Sequence, residues 1–244
     1  MATDAGLRCA AELDRIWNSL TSRGYALTDD RSLGLRREFR ENFGSAYFNE
    51  QILRHDEGDW PVDRKRARDV ILYRWRDGDL GLAEFETITI TDRAGLAGKR
   101  DHARVMLLSD PDAAELVRIL LSLVPPDRRQ DHGTFGVNLF RTYTNVVTRP
   151  HCDDEEYIII YVINRIGDGA DTYLYRYADL TDDNGPAADP ILTQQLDPGE
   201  IIIFEDCKFK HGATPLVPPP AGGAMRDALV CTVDYPSSYL ARVA

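Results

Sequence analysis

His151, Asp153 and His211 are the residues of this 244-residue chain whose types and spacing could hold a metal ion. His151-Cys152-Asp153 stands just before the strand-like run Tyr157 to Asn164, and extended chain points residues i and i+2 to the same side. An imidazole and a carboxylate can therefore share one face. His211 supplies a second imidazole at the end of the strand-like run Ile201 to Lys210, where that strand enters a short polar turn. Two imidazoles and one carboxylate make the facial arrangement that binds iron(II) while leaving positions open for a co-substrate and oxygen. A surface His-x-Asp pair meets by chance in many proteins, so the triad needs support from outside itself.

That support comes from Arg226, fifteen residues beyond His211 and at the opening of the strand Ala228 to Thr232. A planar guanidinium pairs bidentately with a carboxylate, which is what a dicarboxylate co-substrate requires at its far end. Arg141 and Tyr143, at i and i+2 on the strand leading toward His151, share a face and are further candidates for lining that co-substrate site. Thr214 either joins them or starts the following loop. His55, His102 and His132 have no ligand-type neighbours at metal spacing and read as surface or loop histidines. Trp60, between Asp59 and Pro61, could act as a lid residue, although anchoring its own loop is the plainer role.

The elements that must position these residues follow from periodicity. Leu13, Ile16, Trp17 and Leu20 fall at i, i+3, i+4 and i+7, a helix that Gly24 should stop. Leu33 to Phe48 carries a weaker helical pattern, and His55 to Asp63 reads as a loop. Val70 to Trp75 and Glu84 to Thr91 read as strands, Ala113 to Leu123 as a helix ended by Pro125-Pro126. From Gly136 the chain becomes a succession of short strands: Gly136 to Tyr143, Tyr157 to Asn164, Asp171 to Tyr177, Ile191 to Leu196, Ile201 to Phe204 and Ala228 to Asp234. The expected fold class is α+β, mainly β: a double-stranded β-helix, or jelly-roll, core flanked by N-terminal helices. We expect a single domain over 1–244, with helical and mixed support in 1–135 and the core with its metal site in 136–244.

Composition narrows the partners. A formal net charge of -11 disfavours an electrostatically driven nucleic-acid binder, and nothing signals a membrane contact. The basic run Arg64-Lys65-Arg66-Ala67-Arg68 reads as a solvated face, with an anionic ligand or partner as its alternative. Four cysteines without a CxxC pair read as reduced thiols. No apolar leader precedes the first helix, and no stretch approaches the roughly 18 apolar residues of a spanning helix. The expectation is a soluble cytoplasmic protein acting on a small molecule. No partner protein is signalled, and a homodimer stays open.

Taken together, the segments His151-Cys152-Asp153, Ile163-Asn164-Arg165, Gly169 to Tyr175, Phe209 to Pro215 and Arg226 to Val230 make the last hundred residues resemble a known family. It is that of bacterial iron(II)/2-oxoglutarate dioxygenases that hydroxylate free amino acids, the group containing L-isoleucine 4-hydroxylase. The resemblance implies that His151, Asp153 and His211 ligate iron and that Arg226 holds the distal carboxylate of 2-oxoglutarate. It implies a reaction in which oxygen is consumed, 2-oxoglutarate becomes succinate and an unactivated C-H bond of an amino acid is hydroxylated, with ascorbate as the reductant to supply in vitro. Because Asp153 is present, it also disfavours halogenation, which in the wider superfamily goes with a small residue at that position.

One departure stands out. The family places a small residue directly after the ligand aspartate, whereas here Asp154, Glu155 and Glu156 follow. The run is either a solvated loop or, through Asp154 or Glu156, a counter-charge for a cationic group of the substrate. Two rival readings stay open: the same cofactor chemistry giving desaturation or cyclisation, and a non-catalytic jelly-roll module that binds a carboxylated metabolite.

Overall fold

The computed structural model describes residues 4–55, 63–85, 103–143, 148–153, 155–177, 180–181, 185–186 and 189–233. In chain order its elements are α1 (Asp4–Arg23), β1 (Tyr25–Asp29), α2 (Arg37–Tyr47), β2 (Arg64–Arg76), β3 (Asp79–Glu84), α3 (Pro111–Ser122), β4 (His132–Thr142), β5 (Thr148–His151), β6 (Tyr157–Ile166), β7 (Asp168–Gly169), β8 (Thr172–Arg176), β9 (Leu180–Thr181), β10 (Gly185–Pro186), β11 (Leu192–Gln194), β12 (Glu200–Glu205), β13 (Phe209–Ala213), β14 (Leu216–Val217) and β15 (Met225–Val233).

Two antiparallel sheets carry the fold, one of seven strands in the order β1-β12-β6-β15-β4-β2-β3 and one of four in the order β11-β8-β13-β5. Strand alternation divides the large sheet into two faces. On one, Ile159, Tyr161, Ile201, Ile203 and Leu229 pack with α1, α2 and α3 through Ile16, Leu20, Phe43, Leu116 and Leu120. On the other, Ile158, Ile160, Val162, Ile202 and Phe204 meet Leu174 and Phe209 of the small sheet. Burying each such side chain contributes about 1.5–3 kcal/mol, which is why β6 and β12 read as unbroken apolar runs: both of their faces are covered. This is the expected jelly roll, mostly β, with helices on its outer face.

The N-terminal half does more than flank that core, because β1, β2 and β3 extend the large sheet on both sides. Gly24, at φ +82°, ends α1 and turns the chain straight into β1; a Cβ there would meet the Phe209 ring at 2.8 Å. β2 and β3 are joined by Asp77-Gly78, both at positive φ (53° and 89°), the two-residue hairpin geometry that an Asp-Gly pair favours. That places β3 earlier than the strand expected over Glu84 to Thr91, most of which lies outside the described residues. The basic run of 64–68 is not a solvated face: it forms the first half of β2, with Ala67 fully buried and Arg66 and Arg68 only 7 % and 8 % exposed. The four cysteines form no disulfide. No helix among the described residues is long and apolar enough to cross a membrane.

Candidate metal centre

His211 lies in the middle of β13, not at the end of the preceding strand. β12 stops at Glu205, the single 3-10 turn Asp206–Lys208 reverses the chain, and a new strand begins at Phe209. In the small sheet His211 is the direct cross-strand partner of His151, the last residue of β5. Residues paired this way project to the same side, and the two rings stand 4.3 Å apart between centroids. Phe204 backs the His211 ring at 5.0 Å from the large sheet.

Asp153, two residues past the end of β5, completes the group. Its Oδ1 is 3.6 Å from Nε2 of His151 and its Oδ2 is 3.6 Å from Nε2 of His211. Ligands at right angles around a first-row ion, each at roughly 2.1 Å, stand about 3 Å apart, somewhat closer than these two separations. All three donor atoms lie within 4.8 Å of one another. The donor set, two neutral nitrogens and one carboxylate on one side of the ion, fits iron(II) with open positions. His211 is buried, whereas His151 and Asp153 are partly exposed, so the centre is entered from their side.

Asp206 is the residue of this site that sequence reasoning missed. It is fully buried, and its Oδ1 lies 3.3 Å from Nδ1 of His211, long for a hydrogen bond, yet neither atom has another partner among the described residues. Its Oδ2 accepts from the backbone N-H of Glu155 at 3.1 Å and from the Cys152 thiol at 3.2 Å. Burial alone would raise this carboxyl, but His211 and the Glu155 N-H hold it below the usual carboxylate range. The half-buried thiol beside it has the opposite fate, and Cys152 is pushed up to about 11 by burial first, then by Asp206 and Asp153.

Arg226 opens the inner face of β15 beside Thr142 of β4 and Arg165 of β6. It is 7 % exposed, and its Nε and one Nη have no hydrogen-bond partner among the described residues. Burial and then the neighbouring Arg165 lower it to about 10. Arg165 is itself tied to Asp197 at 2.6 Å. A buried guanidinium with no counter-ion among the described residues, next to a second guanidinium, is a site made for an anion.

The remaining candidates are placed as follows. Arg141 faces the helix side of the large sheet, away from the metal ligands: its guanidinium is bound by both oxygens of Asp227, at 2.7 and 2.8 Å, and by the carbonyl of Phe48. Tyr143 lies beside the same guanidinium. The fold therefore does not bring this pair to Arg226, because alternation along β4 sends Leu139 and Arg141 one way and Asn138 and Thr142 the other. Thr214 uses its hydroxyl to accept the backbone N-H of Asp171 at 2.8 Å, fastening the loop after β13. Glu156 is exposed, while Asp154 and Trp60 lie outside the described residues.

A family model described as 2OG-Fe dioxygenase matches residues 98–232. Among solved structures, a bsmA homolog from Methylobium petroleophilum PM1 is 21% identical, with 93% of this chain and 92% of that one covered at a TM-score of 0.71. IDO from Bacillus thuringiensis is 17% identical over 91% of this chain and 98% of that chain, at a TM-score of 0.65. The Fe(II)/(alpha)ketoglutarate-dependent dioxygenase TqaL is 14% identical over 96% and 90%, at 0.71. At such identities these structures speak for the fold alone, and a comparison with curated proteins gives no match. The family model, however, spans more than half of the sequence and includes all three metal-ligand candidates together with Arg226, so the chain belongs to the 2OG-Fe dioxygenase family.

Proposed function

We propose that this protein is an iron(II)- and 2-oxoglutarate-dependent hydroxylase of a free amino acid or a close derivative. The observation that carries the reading is the pairing of the His151, Asp153, His211 group with a buried Arg226 that has no counter-ion among the described residues. When bound, iron with 2-oxoglutarate and oxygen supplies an oxidant able to break an unactivated C-H bond, with 2-oxoglutarate leaving as succinate and carbon dioxide.

The chain's own residues set up that chemistry. His211 is held by Asp206 through Nδ1, which leaves Nε2, the nitrogen beside Asp153, as the atom that would ligate the ion. Asp153 contributes the negative charge that two neutral imidazoles lack. Arg226 binds and orients a carboxylate at the far end of the co-substrate, and the apolar inter-sheet core around Val162 and Ile160 excludes water, strengthening that pairing. Despite a chain charge of -11, the inner face of the large sheet is therefore locally basic, as an anionic co-substrate requires.

The test is incubation of the purified protein with iron(II), ascorbate, 2-oxoglutarate and a panel of amino acids, followed by succinate assay and mass spectrometry. Gain of one oxygen supports hydroxylation, and loss of two hydrogens would transfer the reading to desaturation or cyclisation. Asp153→Ala should abolish succinate formation. Retention of wild-type turnover in that variant would overturn the metal assignment.

A further inference from the structure

The register of β6 on β15 slips once. Asp227 pairs with Asn164 and Ala228 with Val162, so Ile163 is the extra residue of a bulge. Ile158, Ile160 and Val162 face the inter-sheet core, and Ile163 faces the helix-side core. Plain alternation would send Arg165 the way of Ile163, into apolar surroundings. The extra residue re-aims it, and Arg165 emerges as the cross-strand partner of Arg226 on the inner face. Side chains paired in this way start about 5 Å apart between Cβ atoms, and like charges directly opposite one another are destabilising. That repulsion reaches Arg226, where it adds to burial in lowering the guanidinium to about 10.

Arg165 is held where the bulge puts it. Its Nη2 donates to Oδ1 of Asp197 at 2.6 Å, and the side-chain oxygen of Gln195, with the amide turned to face it, accepts from both Nη atoms. Gln195 and Asp197 flank Leu196, which is buried in the inter-sheet core with Val162. The loop after β11 therefore fixes the guanidinium at the edge of that core. These partners take three of the five N-H groups of an arginine; the Nε-H and one Nη1-H have none among the described residues. Nor is the charge balanced. The Arg165 side chain is 10 % exposed and that of Asp197 67 %, so water screens the one carboxylate present, while Arg226 contributes a second, buried cation.

From this geometry we infer that Arg165 is the second cationic arm of the Arg226 site: both guanidiniums bind the distal carboxylate of the co-substrate, and Asp197 competes for Arg165 from the rim. The inference rests on the 2-oxoglutarate reading for the identity of that ligand. A carboxylate offers about four acceptor positions, enough for donors from both arginines, and its charge offsets the repulsion between them. The ligand class is a 2-oxo acid with an ionised far end. An analogue of the same length that ends in a methyl group leaves both cations unmatched.

The test is calorimetric binding to the full chain loaded with manganese(II). The probes are 2-oxoglutarate and 2-oxopentanoate, which lacks the distal carboxylate. Wild type should prefer 2-oxoglutarate. Arg165→Met should weaken 2-oxoglutarate by about 10- to 100-fold, as loss of charge-assisted hydrogen bonds predicts, and leave 2-oxopentanoate unchanged. Arg165→Lys keeps the charge without the fork and should fall between wild type and Arg165→Met. Asp197→Asn, at an exposed side chain, should tighten 2-oxoglutarate by about 2- to 5-fold. The opposite signs separate this role from a structural one: if the pair of Arg165 and Asp197 only fastens its loop, either substitution breaks it and both weaken binding. Should Arg165→Met fail to fold, Arg165→Lys and Asp197→Asn decide. The inference is overturned if Arg165→Met leaves 2-oxoglutarate affinity unchanged or weakens both probes equally, or if Asp197→Asn weakens 2-oxoglutarate. If Arg226→Met removes the preference and Arg165→Met does not, the 2-oxoglutarate reading stands and this inference alone fails. A wild-type chain without the preference would remove both.

Discussion

Oδ1 of Asp206 lies 3.3 Å from Nδ1 of His211, and the other oxygen of the same carboxylate holds the Glu155 N-H and the Cys152 thiol. One buried side chain thus ties the distal histidine to the loop that carries Asp153. Removing an orienting partner of this kind commonly costs about 10- to 100-fold in metal affinity. Asp206→Asn should weaken iron(II) binding by that order in a competition titration, with the fold unchanged by circular dichroism. Unaltered affinity would make Asp206 merely a loop fastener.

Arg226 gives a prediction in which stability and function move in opposite directions. Its Nε and one Nη are buried without partners among the described residues, a cost on the order of 1–3 kcal/mol or more for a charged group. Arg226→Met removes that cost at similar volume. Its thermal midpoint without ligands should rise above wild type, while the 2-oxoglutarate concentration needed for half-maximal turnover rises by about 100-fold. A lower midpoint would show that the guanidinium is satisfied in a way the structure does not display.

Arg141 should behave as a structural residue. Its fork is closed on Asp227, which is 2 % exposed, and removing one partner of a buried pair typically costs about 3–5 kcal/mol. Arg141→Ala should lower the urea midpoint accordingly and leave the 2-oxoglutarate requirement unchanged. A raised requirement at normal stability would return Arg141 to the co-substrate site.

How far the sequence reveals these roles depends on which interactions are local. His151 and Asp153 could be found because they are two residues apart, and Arg226 because an inward arginine shortly after a histidine strand has a chemical use. The β6 and β12 strands announced themselves by continuous burial. The pattern makes His211 read as the end of the strand begun at Ile201, yet Asp206-Cys207-Lys208 makes a 3-10 turn and a new strand starts at Phe209. Asp206 had no signal, since its partner is chosen by how that turn folds back. Arg64 to Asp69 hid the first half of β2 because charge outweighed pattern; the buried Ala67 between two arginines was the available hint. Asp77-Gly78 is the local hairpin signal that marks β3 where it stands, a signal the expected strand over Glu84 to Thr91 passes over.

The last prediction concerns pH. On the helix-side face of β2, Asp69 is fully buried and accepts from the backbone N-H groups of Val70, at 2.9 Å, and Leu107, at 2.8 Å. Burial first, with the nearby Glu84 carboxylate adding to it, pushes Asp69 up to about 7. An unfolded aspartate titrates near 4, about where its ordinary value lies. Between those limits the folded chain keeps a proton that the unfolded chain has released, so stability declines as pH rises through the window and levels off above it. The urea midpoint should therefore fall between about pH 4 and about pH 7. Glu84→Gln preserves an oxygen for the Leu108 N-H, which Glu84 accepts at 3.0 Å, but removes the like charge. It should flatten the dependence and raise stability most at the alkaline end. An unchanged slope in that variant would locate the titrating group elsewhere.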